Sequence, residues 1–340
     1  MSRVDGAAVL VTGGAGFIGS HLVDTLLARG AARVSVLDNL ANGSTANLEH
    51  LGGDIRFSLV EGDIRDADAA AAALAGVDTV FHLACLGVRH SLHDPFENHE
   101  VNATGTLNML AQARKAGVGR FVYVSTSEVF GTAQYAPMDE RHPTWPETVY
   151  GGSKLAGEAY ARAFYRTYGF DTVVVRPFNT YGPRSHFEGD SGEVLPRTIV
   201  RVLAGLRPVI FGDGKQTRDF MHVSDTSRAL ALIGESDAAT GQTINLGSGT
   251  EVTMTDLCRA VAVAAGRPDL DPEYLAARPG DVRRLIGNAR LVRELTGFTP
   301  TVGFDAGVAQ LVEWFRQGKV DDMVGRVADV NWVREEEKVR

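Results

Sequence analysis

Residues 8–20 read AVLVTGGAGFIGS. A short apolar run ends in a turn carrying Gly13, Gly14, Gly16 and Gly19, and an apolar helical pattern follows at once. Strand, tight glycine turn and helix in immediate succession open a βαβ unit and leave little room for another fold. In that geometry the backbone N–H groups of the turn and the positive end of the helix face one point, where a pyrophosphate fits. Far along the chain, Tyr150 stands four residues before Lys154. On a helix that spacing puts a phenol and an ammonium one turn apart on one face.

The rest of the chain extends the opening unit. Short β-branched runs at 8–12, 33–38, 55–60, 79–84, 120–125 and 171–176 alternate with helical patterns at 17–29, 66–75, 97–116 and 149–168. Such alternation predicts a parallel sheet covered on both faces. The expected fold is α/β: a Rossmann-type doubly wound parallel sheet with a smaller C-terminal α/β substrate domain. The dinucleotide-binding domain is expected over 1–177 and rejoined by about 219–247, with TINLG at 243–247 returning as a strand. Residues 178–330 form the second domain, with helices at 194–205, 253–265 and 304–317. Residues 184–193 read as a charged loop placed to close over a ligand, and 331–340 as a charged tail.

Composition removes several classes of partner. Of 340 residues 44% are hydrophobic, enough for one large or two modest cores. The net charge is −8 and no basic stripe stands out, which argues against nucleic acid. No apolar run is long enough to span a bilayer, and the first residues lack a signal-peptide pattern. Cys85 and Cys258 have no metal-ligand spacing and read as small buried fillers. A reduced, cytoplasmic, globular chain is expected, with no metal and no membrane.

Asp38 closes the second strand, 19 residues after Gly19. A carboxylate there accepts hydrogen bonds from both ribose hydroxyls and repels a 2′-phosphate. Its neighbours Asn39 and Leu40 supply no cation for such a phosphate, so NAD is expected rather than NADP. Asp63 and Ile64 follow the third strand and can meet the adenine, although Asp63 also reads as a turn or capping acid. Leu83 and Ala84 end the fourth strand where its backbone passes the cofactor. His82, alternating within that strand, reads as a satisfied core histidine.

Residues 120–131, RFVYVSTSEVFG, end a strand in Ser125, Thr126, Ser127 and Glu128. The carboxyl ends of parallel strands line the ligand crevice. Thr126 is placed to hydrogen-bond a substrate hydroxyl, Tyr150 to take its proton, and Lys154 to lower the phenol's pKa and bind the nicotinamide ribose. A free tyrosine titrates at about 10, so it needs a depression of several units, for which the ammonium and the cofactor's positive ring are the expected sources.

Together, TGGAGFIGS, DNL, GDIRD, FHLAC, STSEVFG, YGGSK and RPFNTYGPR resemble the extended short-chain dehydrogenase/reductase family, close to its NAD-dependent nucleotide-sugar epimerases and dehydratases. FGDGKQTRDFMHVSD at 211–225, NLGSG at 245–249 and RPGD at 278–281 continue the match, which runs from about 7 to 317. The resemblance implies Thr126, Tyr150 and Lys154 as the catalytic triad. Gly13, Gly16, Phe17, Ile18, Gly19 and Pro177 would surround the cofactor. Phe178 and Asn179 would meet nicotinamide and sugar phosphate, and Arg218 and Arg278 the diphosphate. In glycine-rich loops, two arginines also suit bidentate phosphate contacts on chemical grounds. Asp281 is a candidate for the nucleotide ribose. A homodimer through the helices near 97–116 and 149–168 is a further implication.

The shared first step is hydride transfer from a sugar carbon, C4, to NAD. Return of hydride to the other face inverts C4; a C5 carboxylate permits loss of carbon dioxide; an acid–base group at C5–H permits elimination. Glu128 favours the last two, because simple epimerases of the family usually lack a carboxylate there. Ser127 weakens the 4,6-dehydratase reading, which wants Asp. The segment LGVRHSLHD at 86–94, with Arg89 and His90 as candidate substrate contacts, and RPGDVRR look epimerase-like. His90 reads first as an exposed loop histidine. The expected partner is therefore a nucleotide sugar, a UDP-sugar, and the expected function a UDP-sugar 4-epimerase. The alternatives are a UDP-glucuronate decarboxylase or nucleotide-sugar dehydratase. A net NAD-linked reductase and a non-catalytic NAD-binding sensor are remoter ones.

Overall fold

The computed structural model describes residues 3–277 and 282–327. Its first half runs β1 (Ala8–Thr12), α1 (Phe17–Ala28), β2 (Arg33–Asp38), β3 (Phe57–Glu61), α2 (Ala67–Ala73), β4 (Thr79–His82), α3 (Val88–His93), α4 (Pro95–His99), α5 (Thr106–Lys115), β5 (Arg120–Val124), α6 (Val149–Tyr168) and β6 (Thr172–Pro177). There follow β7 (Asn179–Tyr181), α7 (Val194–Leu203), β8 (Val209–Phe211), β9 (Thr217–His222), α8 (Val223–Glu235), β10 (Thr243–Leu246), β11 (Glu251–Thr253), α9 (Met254–Ala264), β12 (Glu273–Leu275), α10 (Arg290–Thr296), α11 (Phe304–Arg316) and α12 (Val320–Val324).

Seven strands form one sheet in the order β10-β6-β5-β4-β1-β2-β3, and every pairing is parallel. Side chains alternate across it, as the two-residue strand period requires. Val9, Val11, Val34, Val36, Val122 and Val173 join one core with α1, α8 and α10. Leu10, Leu37, Val80, Phe121, Tyr123 and Val174 join another under α2, α5 and α6. Burial on both faces explains why the strands read as near-continuous apolar runs. Strand order reverses between β1 and β4, and a crevice opens there over the carboxyl ends of the strands.

Some boundaries differ from the sequence pattern for local reasons. The third strand starts at Phe57 rather than 55, because Asp54 accepts the Arg56 backbone N–H and makes a turn. The pattern over 97–116 is interrupted by a wide π-type turn at Glu100–Gly105. Around it the buried side chains of Asn98 and Asn102 bind the 86–87 backbone, which a plain helix face would leave unsatisfied. The stretch 86–94, read as a loop, holds helix α3.

After Pro177 the strands shorten. Strands β11, β9 and β7 make one small sheet, and β12 pairs with β8. Their core gathers Ile199, Leu257, Val308, Leu311 and Phe315. Helix α8 then packs on α1, and β10 pairs with β6, so 223–246 returns to the large sheet. Among the described residues no helix is long and apolar enough to cross a membrane. The expected tail at 331–340 lies outside the described residues.

Candidate active site

The glycine turn sits at the reversal point. Gly13 has φ +70°, and its N–H donates to the Leu37 carbonyl at 2.9 Å. A Cβ on Gly13 would lie 2.7 Å from the Ala84 nitrogen, and one on Gly19 would collide with the Gly13 carbonyl oxygen. Only bare backbone lets β1, the Leu83–Ala84 segment and α1 approach so closely. The N-cap of α1 is Gly16, without a side-chain cap, so the positive helix end is left to a ligand. Phe17 and Ile18 occupy its first turn.

Asp38 is buried at the end of β2. It accepts the Ala15 and Leu40 N–H groups, each at 2.9 Å, one on each oxygen, which fixes the carboxylate beside the turn. Asn39 donates to Asp63 at 3.3 Å. Asp63 is gripped by the Arg65 guanidinium, which holds its carboxyl below the usual range. The Ile64 side chain is core, packed beneath Gly105.

His82 is fully buried between Thr12 Oγ1 (2.7 Å, on Nδ1) and Thr106 Oγ1 (3.0 Å, on Nε2). The Thr106 hydroxyl donates to the Asn102 carbonyl, so it accepts from Nε2–H, and Thr12 donates to Nδ1. That neutral tautomer, assigned from the network, follows from burial, which pushes the ring down to about 3.

Helix α6 begins with Thr148 as N-cap, its Oγ1 accepting the Gly151 N–H at 3.1 Å. Tyr150 and Lys154 therefore stand on one face in the first turns. The Tyr150 phenol hydrogen-bonds the Thr126 side chain at the end of β5. Thr126 Oγ1 also accepts the Glu128 N–H at 3.2 Å, capping the short 127–130 turn that holds buried Ser127 and half-buried Glu128. Lys154 is buried, donates to the Val124 carbonyl at 2.8 Å and lies 4.5 Å over the Tyr123 ring. Burial pushes the Lys154 ammonium down, opposed by Cys85 and Glu158.

The phenol behaves differently from the sequence expectation. Burial first, then Cys85 and Glu128, push Tyr150 well above the ordinary range, against the Thr126 hydrogen bond. Lys154 aims its ammonium at a carbonyl rather than at the phenol. A positive charge at the ligand position is the remaining source of the depression a base needs.

The other described candidates lie on β6, β7, β9 and α3. Pro177 ends β6 opposite Leu246. Asn179 opens β7, and its Oδ1 is buried with no hydrogen-bond partner, an acceptor ready for a donor from a ligand. Arg218 donates to the carbonyls of Thr217 (2.9 Å) and Val282 (2.6 Å) from Nη1. Arg89 in α3 faces Glu193, whose carboxyl burial pushes up to about 8 against the pull of Arg89. His90 pairs with Glu97 at 3.3 Å. Arg278 and Asp281 lie outside the described residues. Sequence reasoning named Ser125 only as part of a strand end and missed Glu158 and Arg176, which bind each other under the Tyr–Lys pair; the four-residue step from Lys154 to Glu158 was the available signal.

The crowded glycine turn, the fixed Asp38 and the open Asn179 acceptor fit a dinucleotide with a second ligand beside it. A family model described as GDP-mannose 4,6 dehydratase matches residues 10–311. The UDP-glucose 4-epimerase of Mycolicibacterium smegmatis is 39% identical, over 90% of this chain and 98% of its own. The dTDP-glucose 4,6-dehydratase of an Actinoplanes species is 37% identical, over 92% of this chain and 98% of its own. The dTDP-glucose 4,6-dehydratase of Streptomyces venezuelae, solved with NAD bound, superposes with a TM-score of 0.86 at 36% identity, covering 91% of this chain and 97% of that one. A crevice of this build on a sheet of this order, matched along nearly the whole chain, makes it an enzyme of the extended short-chain dehydrogenase/reductase family, in its branch of NAD-dependent nucleotide-sugar epimerases and dehydratases.

Proposed function

We propose that this chain binds NAD and a UDP-sugar, oxidises the sugar transiently at C4 and acts as a UDP-sugar 4-epimerase. The observation that carries this is the Tyr150 phenol on the Thr126 side chain just past the carboxyl end of β5, with Lys154 one turn below. NAD, when bound, supplies a hydride acceptor and a positive charge.

Each residue then has a task. The glycine turn and the start of α1 hold the pyrophosphate. Asp38 accepts the ribose hydroxyls and repels a 2′-phosphate. Thr126 orients the C4 hydroxyl, and Tyr150 takes its proton and later returns it. Lys154 meets the nicotinamide ribose. Asn179, Arg89 and Arg218 line the sugar and phosphate side, with Arg278 and Asp281 beyond the described stretch. The unpaired thiols Cys85 and Cys258 suit a cytoplasmic enzyme. Exposed Phe96, Leu107, Tyr165 and Tyr168 on α4, α5 and α6 suit a homodimer.

Ser127 favours epimerisation over 4,6-elimination, because it offers no carboxylic acid at that position. The second reading, a decarboxylase or dehydratase, draws on Glu128, whose charge reaches the Tyr150 phenol. Incubation with UDP-glucose, UDP-N-acetylglucosamine, UDP-glucuronate and dTDP-glucose, followed by NMR of the products, separates them. Inverted C4 is expected; evolved carbon dioxide or a 4-keto-6-deoxy product overturns the epimerase in favour of the second reading. Tyr150→Phe is expected to lower kcat about 10²- to 10⁴-fold with NAD retained, and full activity would remove Tyr150 from the base role.

A further inference from the structure

Beneath the Tyr150–Lys154 pair lies a carboxylate to which no task has been given. Glu158 is fully buried on α6, one turn past Lys154. It accepts from Ser125 Oγ at 2.7 Å, from Arg176 Nε at 2.8 Å and Nη2 at 2.7 Å, and from Arg162 Nη1 at 2.9 Å. Three consecutive residues at the end of β5 are thus engaged by three residues of α6 spaced four apart: Val124 by Lys154, Ser125 by Glu158 and Thr126 by Tyr150. The middle contact ties down the strand end that carries the Thr126 hydroxyl. Arg176 comes from β6, directly before Pro177, and brings the third strand of the crevice into the same knot.

We propose that Glu158 is a positioning residue for this chemistry: it clamps the end of β5 onto α6 and supplies a buried negative charge one helical turn from the Lys154 ammonium. This rests on the reading that Tyr150 and Lys154 carry the reaction. A buried ammonium loses its proton readily unless a negative charge stands near it. The groups facing Lys154 are His82 from β4, Cys85 from the following loop, Tyr123 from β5, and Tyr150 and Glu158 from its own helix. The asparagines of the α4–α5 layer reach Ser153 and are uncharged. Glu158 is faced by Ser125, Arg176 and Arg162, and its charge also reaches Tyr123. The Arg176 fork, with Ser125 and Arg162, holds the Glu158 carboxyl below the usual range against burial, so it stays charged. Replacement by glutamine removes that charge and leaves Arg176 and Arg162 without their anionic partner.

The sequence has five lysines, at 115, 154, 215, 319 and 338, so the Lys154 ammonium can be followed directly by NMR of lysine-labelled protein, its signal assigned by loss in Lys154→Arg. In Glu158→Gln the Lys154 midpoint is expected to fall by about one unit, the low end of what an opposite charge at this range supplies. Glu158→Asp is expected to restore it. The alkaline limb of kcat should move down with it, while KM for the nucleotide sugar stays within about twofold, since only an interaction of the reacting pair is disturbed. A folded Glu158→Gln protein with an unmoved Lys154 midpoint overturns the proposal. Should Glu158→Gln fail to fold, Ser125→Ala decides, because it frees the strand end from the carboxylate and leaves the charge in place: kcat is expected to fall about tenfold with KM unchanged, and an unchanged kcat overturns the proposal. The titration needs no substrate. If wild-type protein turns over no nucleotide sugar, the functional reading fails while the midpoints still judge Glu158.

Discussion

The seven-stranded sheet and the small C-terminal sheets are held together by different means. In the large sheet, strands of four to six residues alternate apolar side chains into two cores, and buried polar groups such as His82, held between two threonines, add to a pairing the pattern already sets. Beyond Pro177, β7, β8, β11 and β12 have three residues each, too few to fix their own neighbours. Buried carboxylates gather the loops instead. Asp219 accepts from Ser248 N (2.7 Å), Ser248 Oγ (2.6 Å), Gly249 N (3.0 Å) and Gly287 N (3.1 Å). Asp225 binds Thr301 N and Oγ1, Val302 N and Arg228. The lesson is that long strands specify themselves by pattern, whereas short ones depend on a few ionised side chains that reach far along the chain.

The largest test of that contrast is Asp219→Ala. It orphans three backbone N–H groups around a fully buried side-chain position, which should cost on the order of 4 kcal/mol in denaturant unfolding. A loss below about 1 kcal/mol would show that the loops hold without their carboxylate knot.

Next comes acid. The His82 ring resists protonation to about 3 when folded, against 6.5 ordinarily. The unfolded chain takes up that proton first, so this stability is complete above 6.5, declines as the pH falls and is gone near 3. From about pH 7 to pH 4 the expected loss is about 3 kcal/mol, and His82→Gln should flatten most of it. His21, pushed down to about 4 by burial, adds to the same window. An unchanged slope in His82→Gln would place the acid-sensitive groups elsewhere and weaken the comparison.

The smallest effect belongs to a cap. Thr148→Ala removes the side-chain acceptor for Gly151 N–H at the start of α6 and should cost about 1 kcal/mol, read as a lower melting temperature. Because Tyr150 stands in that first turn, kcat should fall more than KM rises. A stability loss with unchanged kcat would separate the helix end from the reactive phenol.

The same contrast explains what was legible beforehand. The glycine turn, Asp38 at the end of β2 and helix 149–168 announce themselves through local spacing. Tyr150, Thr126 and Lys154 come together because β5 and α6 are both readable elements. Helix α3 went unread because Gly87 before it looks like loop chemistry and its six residues carry no apolar period. The turn at Glu100–Gly105 was hidden because its cause is a tertiary bond from Asn98 and Asn102 to a distant loop. The direction of the Tyr150 shift was missed because burial is a property of the assembled crevice. Asp219 and Glu158 were invisible for a related reason: their partners lie on other strands and loops.

The place of β10 has a consequence for how the chain is made. On a ribosome, β6 emerges early, yet the strand that covers its outer edge arrives only after the whole 178–242 excursion has been synthesised. Until then the nascent sheet presents an open row of backbone donors and acceptors. Late closure of that edge leads us to expect that a chain stopped short of Leu246 pairs through the bare edge of β6 and aggregates, read as turbidity that the full chain does not show.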